Sequence, residues 1–178
     1  MKTLCCLAVL VVLLRAGNVH ADELASAGEG DAARRAELAP LEGHVAPALQ
    51  VTNWVNGSAT KLADLRGKIV VLDFWATWCG PCIASIPHNN ALAAKFKDRG
   101  VVFIGVCHPR GGDKMAETVK TKDLKYPTAC DADGTTIKAY HVDSFPDYYI
   151  IDRQGNLRLA DCRNDQVEAV IEKLLKEP

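Results

Sequence analysis

Three things are missing from these 178 residues, and each absence narrows what the chain can be. Charge of one sign is missing: 21 Lys+Arg against 22 Asp+Glu leave a formal net charge of −1, so nothing points to a nucleic-acid partner. A long hydrophobic run is missing too. The Leu4 to Leu14 run stops at Arg15, short of the roughly 20 apolar residues that span a bilayer as a helix, so no stable membrane anchor is expected. Internal repeats and low-complexity tracts are also absent. What is left, 48% hydrophobic and 24% charged, suits one globular domain with a single core.

The first residues have a different character. Lys2 gives a positive start, Leu4 to Leu14 an apolar core, and Val19-His20-Ala21 a small-x-small cleavage site, so residues 1–21 read as a signal peptide and the mature protein as exported. Cys5 and Cys6 would leave with it. Five cysteines remain, in a compartment where disulfides persist. Residues 22–43, rich in Ala, Glu, Arg and Gly and with only a brief helical possibility around Ala32 to Leu38, are expected to be a linker or frayed helix without chemistry, and residues 44–178 the folded domain.

Within that domain, Asn56-Gly57 between apolar stretches predicts a β-hairpin. "IVVLDFW" (Ile69 to Trp75) predicts a central strand covered on both faces. A helix is expected from about Pro81 to Asp98, a second buried strand over Val101 to Cys107, and a helix over Gly112 to Lys122. A short strand at Pro127 to Cys130 and a helix at Thr135 to Tyr140 follow. Tyr148 to Asp152 and Leu157 to Cys162 pair as a hairpin around Arg153 to Asn156, and Asp165 to Lys176 closes as an amphipathic helix. This order is that of an α/β fold with a mixed central sheet flanked by helices.

Cys79 and Cys82 lie where the central strand runs out and a helix begins. Helix N-terminal amides and the helix dipole stabilise a thiolate there, lowering the thiol from its free value of about 8.5. Cys82, one turn on, is placed to resolve a mixed disulfide formed at Cys79, with Gly80-Pro81 stiffening the link. The same spacing can supply two zinc ligands or a structural disulfide. The other cysteines are solitary, however, and Cys107-His108 are the only adjacent further donors.

"VVLDFWATWCGPC" resembles the active-site segment of thioredoxin-fold proteins. The wider frame, with "LEGHVAPALQVTN", "LADLRGKIVVLDFW" and "SFPDYYIIDRQGNL", is similar to the TlpA/ResA-type family of exported thiol-disulfide oxidoreductases. The resemblance covers about residues 41–176 and implies a thioredoxin-like fold with an added N-terminal β-hairpin and an inserted segment near 112–140. It implies a redox disulfide between Cys79 and Cys82, with Asp73 as a buried general base. Pro146 would be a cis-proline facing the dithiol, and Trp78, Gly80, Pro81, Phe145 and Pro146 would line a substrate groove. Pro87 would kink the active-site helix. Partners would be protein thiols and disulfides, with a protein reductant upstream and no cofactor or metal. The protein would act as a monomeric reductase in the periplasm.

Three departures from the family pattern carry expectations of their own. Ser85 stands where ResA-type proteins have Glu, and Phe145 stands before the proline where smaller residues are usual. Asp147 follows the proline and should favour cationic peptides. Cys107 and Cys130 are expected to end neighbouring strands, either as a second disulfide or as separate buried thiols, and Cys162 to be unpaired. Two alternative activities remain at this level: a copper-chaperone-like protein using Cys79, Cys82 and a histidine such as His141, and a thiol peroxidase.

Overall fold

Six apolar or aromatic residues and one acid, Asp73, make β2 (Ile69–Trp75), and every one of its residues is buried, which places the strand in the middle of the sheet. In the computed structural model, which describes Leu24 and residues 26–178, the sheet has six strands. They are β1 (Thr52–Val55), β2, β3 (Val101–Cys107), β4 (Thr128–Cys130), β5 (Asp147–Ile151) and β6 (Leu157–Cys162), in spatial order β1-β4-β3-β2-β5-β6. The three central strands, β2, β3 and β4, run parallel, and β1, β5 and β6 pair antiparallel. Apart from the second strand of the N-terminal hairpin, the mixed sheet has the expected strands in the expected chain order. The proposed signal peptide, residues 1–21, lies outside the described residues.

Alternation along β2 sorts the sheet into two faces. Ile69, Val71 and Trp75 face one core with Phe103, Cys107, Tyr148 and Ile150. Val70, Leu72 and Phe74 face the other with Ile104, Val106, Tyr149 and Ile151. Helix α2 (Gly80–Phe96) covers the first face through the stripe Cys82, Ile86, Asn89, Leu92 and Phe96, spaced to fall on one side of a helix. Helices α3 (Met115–Thr121) and α5 (Val167–Leu174) complete that layer through Met115, Val119, Val170, Ile171 and Leu174. Each such aliphatic or aromatic side chain contributes roughly 1.5–3 kcal/mol on burial. The second face is covered by α1 (Ala32–Leu38) and α4 (Thr135–Ala139), with Leu38 and Tyr140 fully buried.

Three expectations fail here. The Asn56-Gly57 hairpin does not form: the chain turns at Asn56 (φ 60°), whose side-chain amide donates to the Leu124 carbonyl, and only β1 precedes the turn. A tertiary partner for Asn56 outcompetes a local return strand, and β1 pairs instead with β4. The helical possibility at Ala32 to Leu38 is realised as α1, but it is a docked helix and not a frayed one or a linker. Asp31 caps α1 by accepting the Arg34 N–H at 2.9 Å, and Leu38 is wholly buried. Gly28 bridges to Cys162, extending the sheet edge. The closing helix is also shorter than expected. It is α5 preceded by a single 3₁₀ turn, Asn164–Gln166, and Asp165 sits in that turn without capping α5.

Candidate active site

Cys79 is the N-cap of α2, with extended backbone (φ −85°, ψ 104°), and its Sγ accepts the Cys82 N–H at 3.1 Å. Pro81 occupies the first turn, where its missing N–H costs nothing. A 17-residue helix therefore begins at the sulfur, and amide and dipole both favour negative charge on it. Cys79 and Cys82 are joined as a disulfide, both at least 95% buried. The Phe145-Pro146 peptide is cis, and the Phe145 carbonyl oxygen lies 3.5 Å from Cys79 Sγ. Trp78 stands exposed at 47% beside the dithiol, and Gly80 and Pro81 are exposed at the helix start. Pro87 lies within α2. The residues that sequence alone nominated around the cysteines are thus gathered at the C-terminal end of β2 and the loop before β5.

Asp73 sits on the same face of β2 as Trp75, under α2, and is 3% exposed. Its Oδ2 accepts hydrogen bonds from Tyr126 Oη and from Asn89 Nδ2 (3.2 Å), while Oδ1 is buried without a partner. Among the described residues no hydrogen bond joins Asp73 to Cys82 directly. Burial pushes the carboxyl up to about 6, against the opposing pull of the Tyr126 and Asn89 hydrogen bonds. Gly105, the register partner of Asp73, has Thr128 packed against it: a Cβ there would meet Thr128 Oγ1 at 2.5 Å. Asn89 also donates to Tyr148 Oη at 3.0 Å, and Ser85 accepts from Asn164 Nδ2 at 3.2 Å. Tyr126, Asn89 and Tyr148 were not nominated from the sequence. Only Asn89 left a signal there, as the one polar member of the apolar stripe of α2.

Asp147 contradicts the expectation that it flanks a substrate groove. It points to the opposite face of the sheet, with its side chain fully buried, and Arg34 of α1 lies 3.9 Å away. Arg34 Nε donates to Asp161 Oδ2 at 2.9 Å, and its Nη2 lies 3.3 Å from Asp143. Burial pushes Asp147 well up, aided by the negative charge of Asp161 and opposed by Arg34. The carboxylates of Asp143, Asp147 and Asp161 lie within 4.8 Å of one another, the spacing of a cation site, but the guanidinium of Arg34 already stands among them. Arg34 belongs to the stretch expected to carry no chemistry, so sequence gave no reason to pair it with these acids.

The other cysteines are buried thiols. Cys107 and Cys130 are register partners on β3 and β4, as expected of neighbouring strand ends, and are not bonded to each other. Burial, with Cys130 next in weight, pushes Cys107 up to about 12, and burial does the same for Cys162. Both are poor nucleophiles near neutral pH. His141, the histidine considered as a metal ligand, is exposed and pairs with Glu37 of α1 at 3.1 Å.

A family model described as the AhpC/TSA family matches residues 43–160. The thiol-disulfide oxidoreductase ResA of Bacillus thuringiensis subsp. konkukian is 36% identical over 135 residues, covering 76% of this chain and 77% of its own length. ResA of Bacillus subtilis is 31% identical over 102 residues, covering 57% of each. Among solved structures, the thioredoxin-like superfamily protein SPOA0173 aligns with a TM-score of 0.68 at 28% identity, over 76% of this chain and 99% of its own. The thioredoxin domain of thiol-disulfide oxidoreductase BVU-2223 from Bacteroides vulgatus aligns with a TM-score of 0.67 at 25% identity, over 76% and 98%.

Proposed function

We propose, for a chain that belongs to the AhpC/TSA family and is a thiol-disulfide oxidoreductase, that Cys79 is the attacking sulfur and Cys82 the resolving one in exchange with protein partners. The observation that carries the assignment is the position of Cys79 Sγ at the N-cap of α2, accepting the Cys82 N–H, with the Phe145 carbonyl 3.5 Å away.

In the reducing direction, the Cys79 thiolate attacks a partner disulfide. The partner S–S bond breaks, a Cys79–partner bond forms, and one partner thiolate leaves. Cys82 then loses its proton and attacks Cys79 Sγ, which forms the Cys79–Cys82 disulfide and releases the second partner thiolate. Two electrons pass to the partner. A protein dithiol supplied upstream returns them. Asp73 takes the Cys82 proton on Oδ1, the oxygen that no donor occupies, while Tyr126 and Asn89 hold Oδ2. Trp78, Gly80, Pro81, Phe145 and Pro146 form the partner groove, in which the backbone at Phe145 pairs with an extended peptide. The chain works outside the cytoplasm after removal of residues 1–21, as a monomer, with residues 44–178 carrying the catalytic groups and α1 docked against them. Among the described residues, no helix is long and apolar enough to cross a membrane.

The test is trapping. Cys82→Ser should accumulate a mixed disulfide between Cys79 and a disulfide-bonded protein substrate, visible on a non-reducing gel and mapped by mass spectrometry. Cys79→Ser should lose exchange activity altogether. Undiminished activity in Cys79→Ser ends the proposal.

A further inference from the structure

With Asp147 turned to the far side of the sheet, the charge placed on Trp78, the residue before Cys79, is a cation, Arg110, in the turn after β3. That turn is fixed at successive residues. The Arg110 N–H donates to His108 Nδ1 at 2.9 Å, Trp78 Nε1–H donates to the Arg110 carbonyl at 2.9 Å, and the Thr77 hydroxyl donates to the Gly111 carbonyl at 3.1 Å. Gly111 has φ 85°, and a Cβ there would lie 2.2 Å from Thr77 Oγ1, so the turn closes this tightly only with glycine.

The outcome is a guanidinium whose central carbon lies 4.1 Å from the centroid of the Trp78 ring. Trp78 meets His108 edge-on at 5.6 Å and Phe145 at 6.0 Å, and His108 meets Phe145 at 5.3 Å. Three rings thus form one wall, and it includes both the residue preceding Cys79 and the residue whose carbonyl touches its sulfur. Among the described residues, Arg110 has no ion pair and no side-chain hydrogen bond, although most arginines of the domain have one or both. A guanidinium lying on an indole keeps its N–H groups free along its edge, a fork that matches a carboxylate.

We propose that the Arg110–Trp78 platform is a carboxylate-reading subsite, which makes this oxidoreductase prefer protein partners carrying Asp or Glu beside the reacting cysteine. The inference rests on the reading of Cys79 and Cys82 as the exchanging pair. The stacked guanidinium is held in place before a partner arrives, so little side-chain entropy is lost on pairing, and its indole face excludes water from one side. A charge at the rim of a docking surface acts chiefly on partner choice and association rate, which is where discrimination among protein substrates is exerted. The preference is opposite in sign to the one that Asp147 suggested from sequence.

Three synthetic peptides, each closed by one disulfide and differing only in Glu, Gln or Lys next to the cysteine, test this. For reduction by the protein with its dithiol reduced, kcat/KM should fall in the order Glu, Gln, Lys. A Glu-to-Lys ratio of about fivefold at low ionic strength is expected from a well-placed surface pair, and high salt should compress it. Arg110→Met, which keeps the stem, should flatten the order, and Arg110→Glu should reverse it. Equal rates for all three peptides in the wild-type protein, or an order that survives Arg110→Met, would overturn the subsite and leave the dithiol reading standing. Failure to reduce any of the three would remove both.

Discussion

Among the carboxylates buried in this sheet, Asp73 and Asp147 lie on opposite faces, and their surroundings set them apart. Asp73 on β2 lies under α2 with only neutral partners, Tyr126 and Asn89, and one oxygen free. Asp147 on β5 lies under α1 beside Asp161, with Arg34 brought in from the N-terminal segment. Burial pushes both carboxyls up. The first has no counter-ion and sits on the face of the dithiol, so its proton can come and go near neutral pH. The second shares a cation with its neighbours, and that cation ties α1 to the strand that follows the cis-proline. A buried acid without a cation is suited to moving protons; one with a cation is suited to holding elements together.

Removing the free acid should give the largest effect. Asp73→Asn is expected to slow the resolving step by about 100-fold at pH 7, the size of a lost general base, seen as long-lived mixed disulfide in quenched-flow samples. It should also stabilise the fold. The folded carboxyl, at about 6, lies above its ordinary 3.8, so the native state binds the proton more tightly. That stabilising contribution is complete below about pH 4 and is lost as pH rises towards 6. Above pH 7 the ionised buried acid therefore costs roughly 3 kcal/mol, which the Asn variant recovers in denaturant unfolding. A variant neither slower nor more stable would make Asp73 an ordinary core residue and erase the contrast.

Next in size is the opposite operation, removing the cation from the paired acids. Arg34→Met leaves Asp147 and Asp161 buried with their counter-ion gone, at a cost of about 3–5 kcal/mol in unfolding free energy. Adding Asp147→Asn and Asp161→Asn to the same chain should restore most of it. A loss below about 1 kcal/mol would mean that α1 is held by Leu38 and its neighbours alone.

The mildest probe is Tyr126→Phe, which removes one of two donors to Asp73. Because that hydrogen bond favours the ionised form, the midpoint of the pH profile of the resolving step should move up by about one pH unit. No movement would place the titration on another group.

The dithiol was legible in the sequence because its parts are local: strand, loop and helix N-terminus are contiguous from Ile69 to Phe96, and the CxxC spacing lies across one helical turn. Pro146 was legible through a family pattern far along the chain. The environment of Asp73 was not, since Tyr126 lies 53 residues away, beyond the turn that leads into β4. The direction of Asp147 was misjudged because adjacency to Pro146 says nothing of sheet face. Strand alternation does, and it puts Asp147 with Tyr149, opposite Tyr148. The helix at Ala32 to Leu38 was legible but its docking was not, because an Ala- and Arg-rich stretch carries no periodicity strong enough to reveal one buried Leu and one buried guanidinium.

By itself, then, the sequence determined which atoms the proposed exchange uses. A thiol at a helix N-cap, a second thiol one turn on and an acid within the preceding strand are set by short-range spacing. Only the tertiary structure decided which groups surround them and the acid on the far face. Electrostatic interactions act through space between groups far apart in the chain, and folding alone placed Tyr126 on Asp73, Arg34 on Asp147 and Arg110 on Trp78.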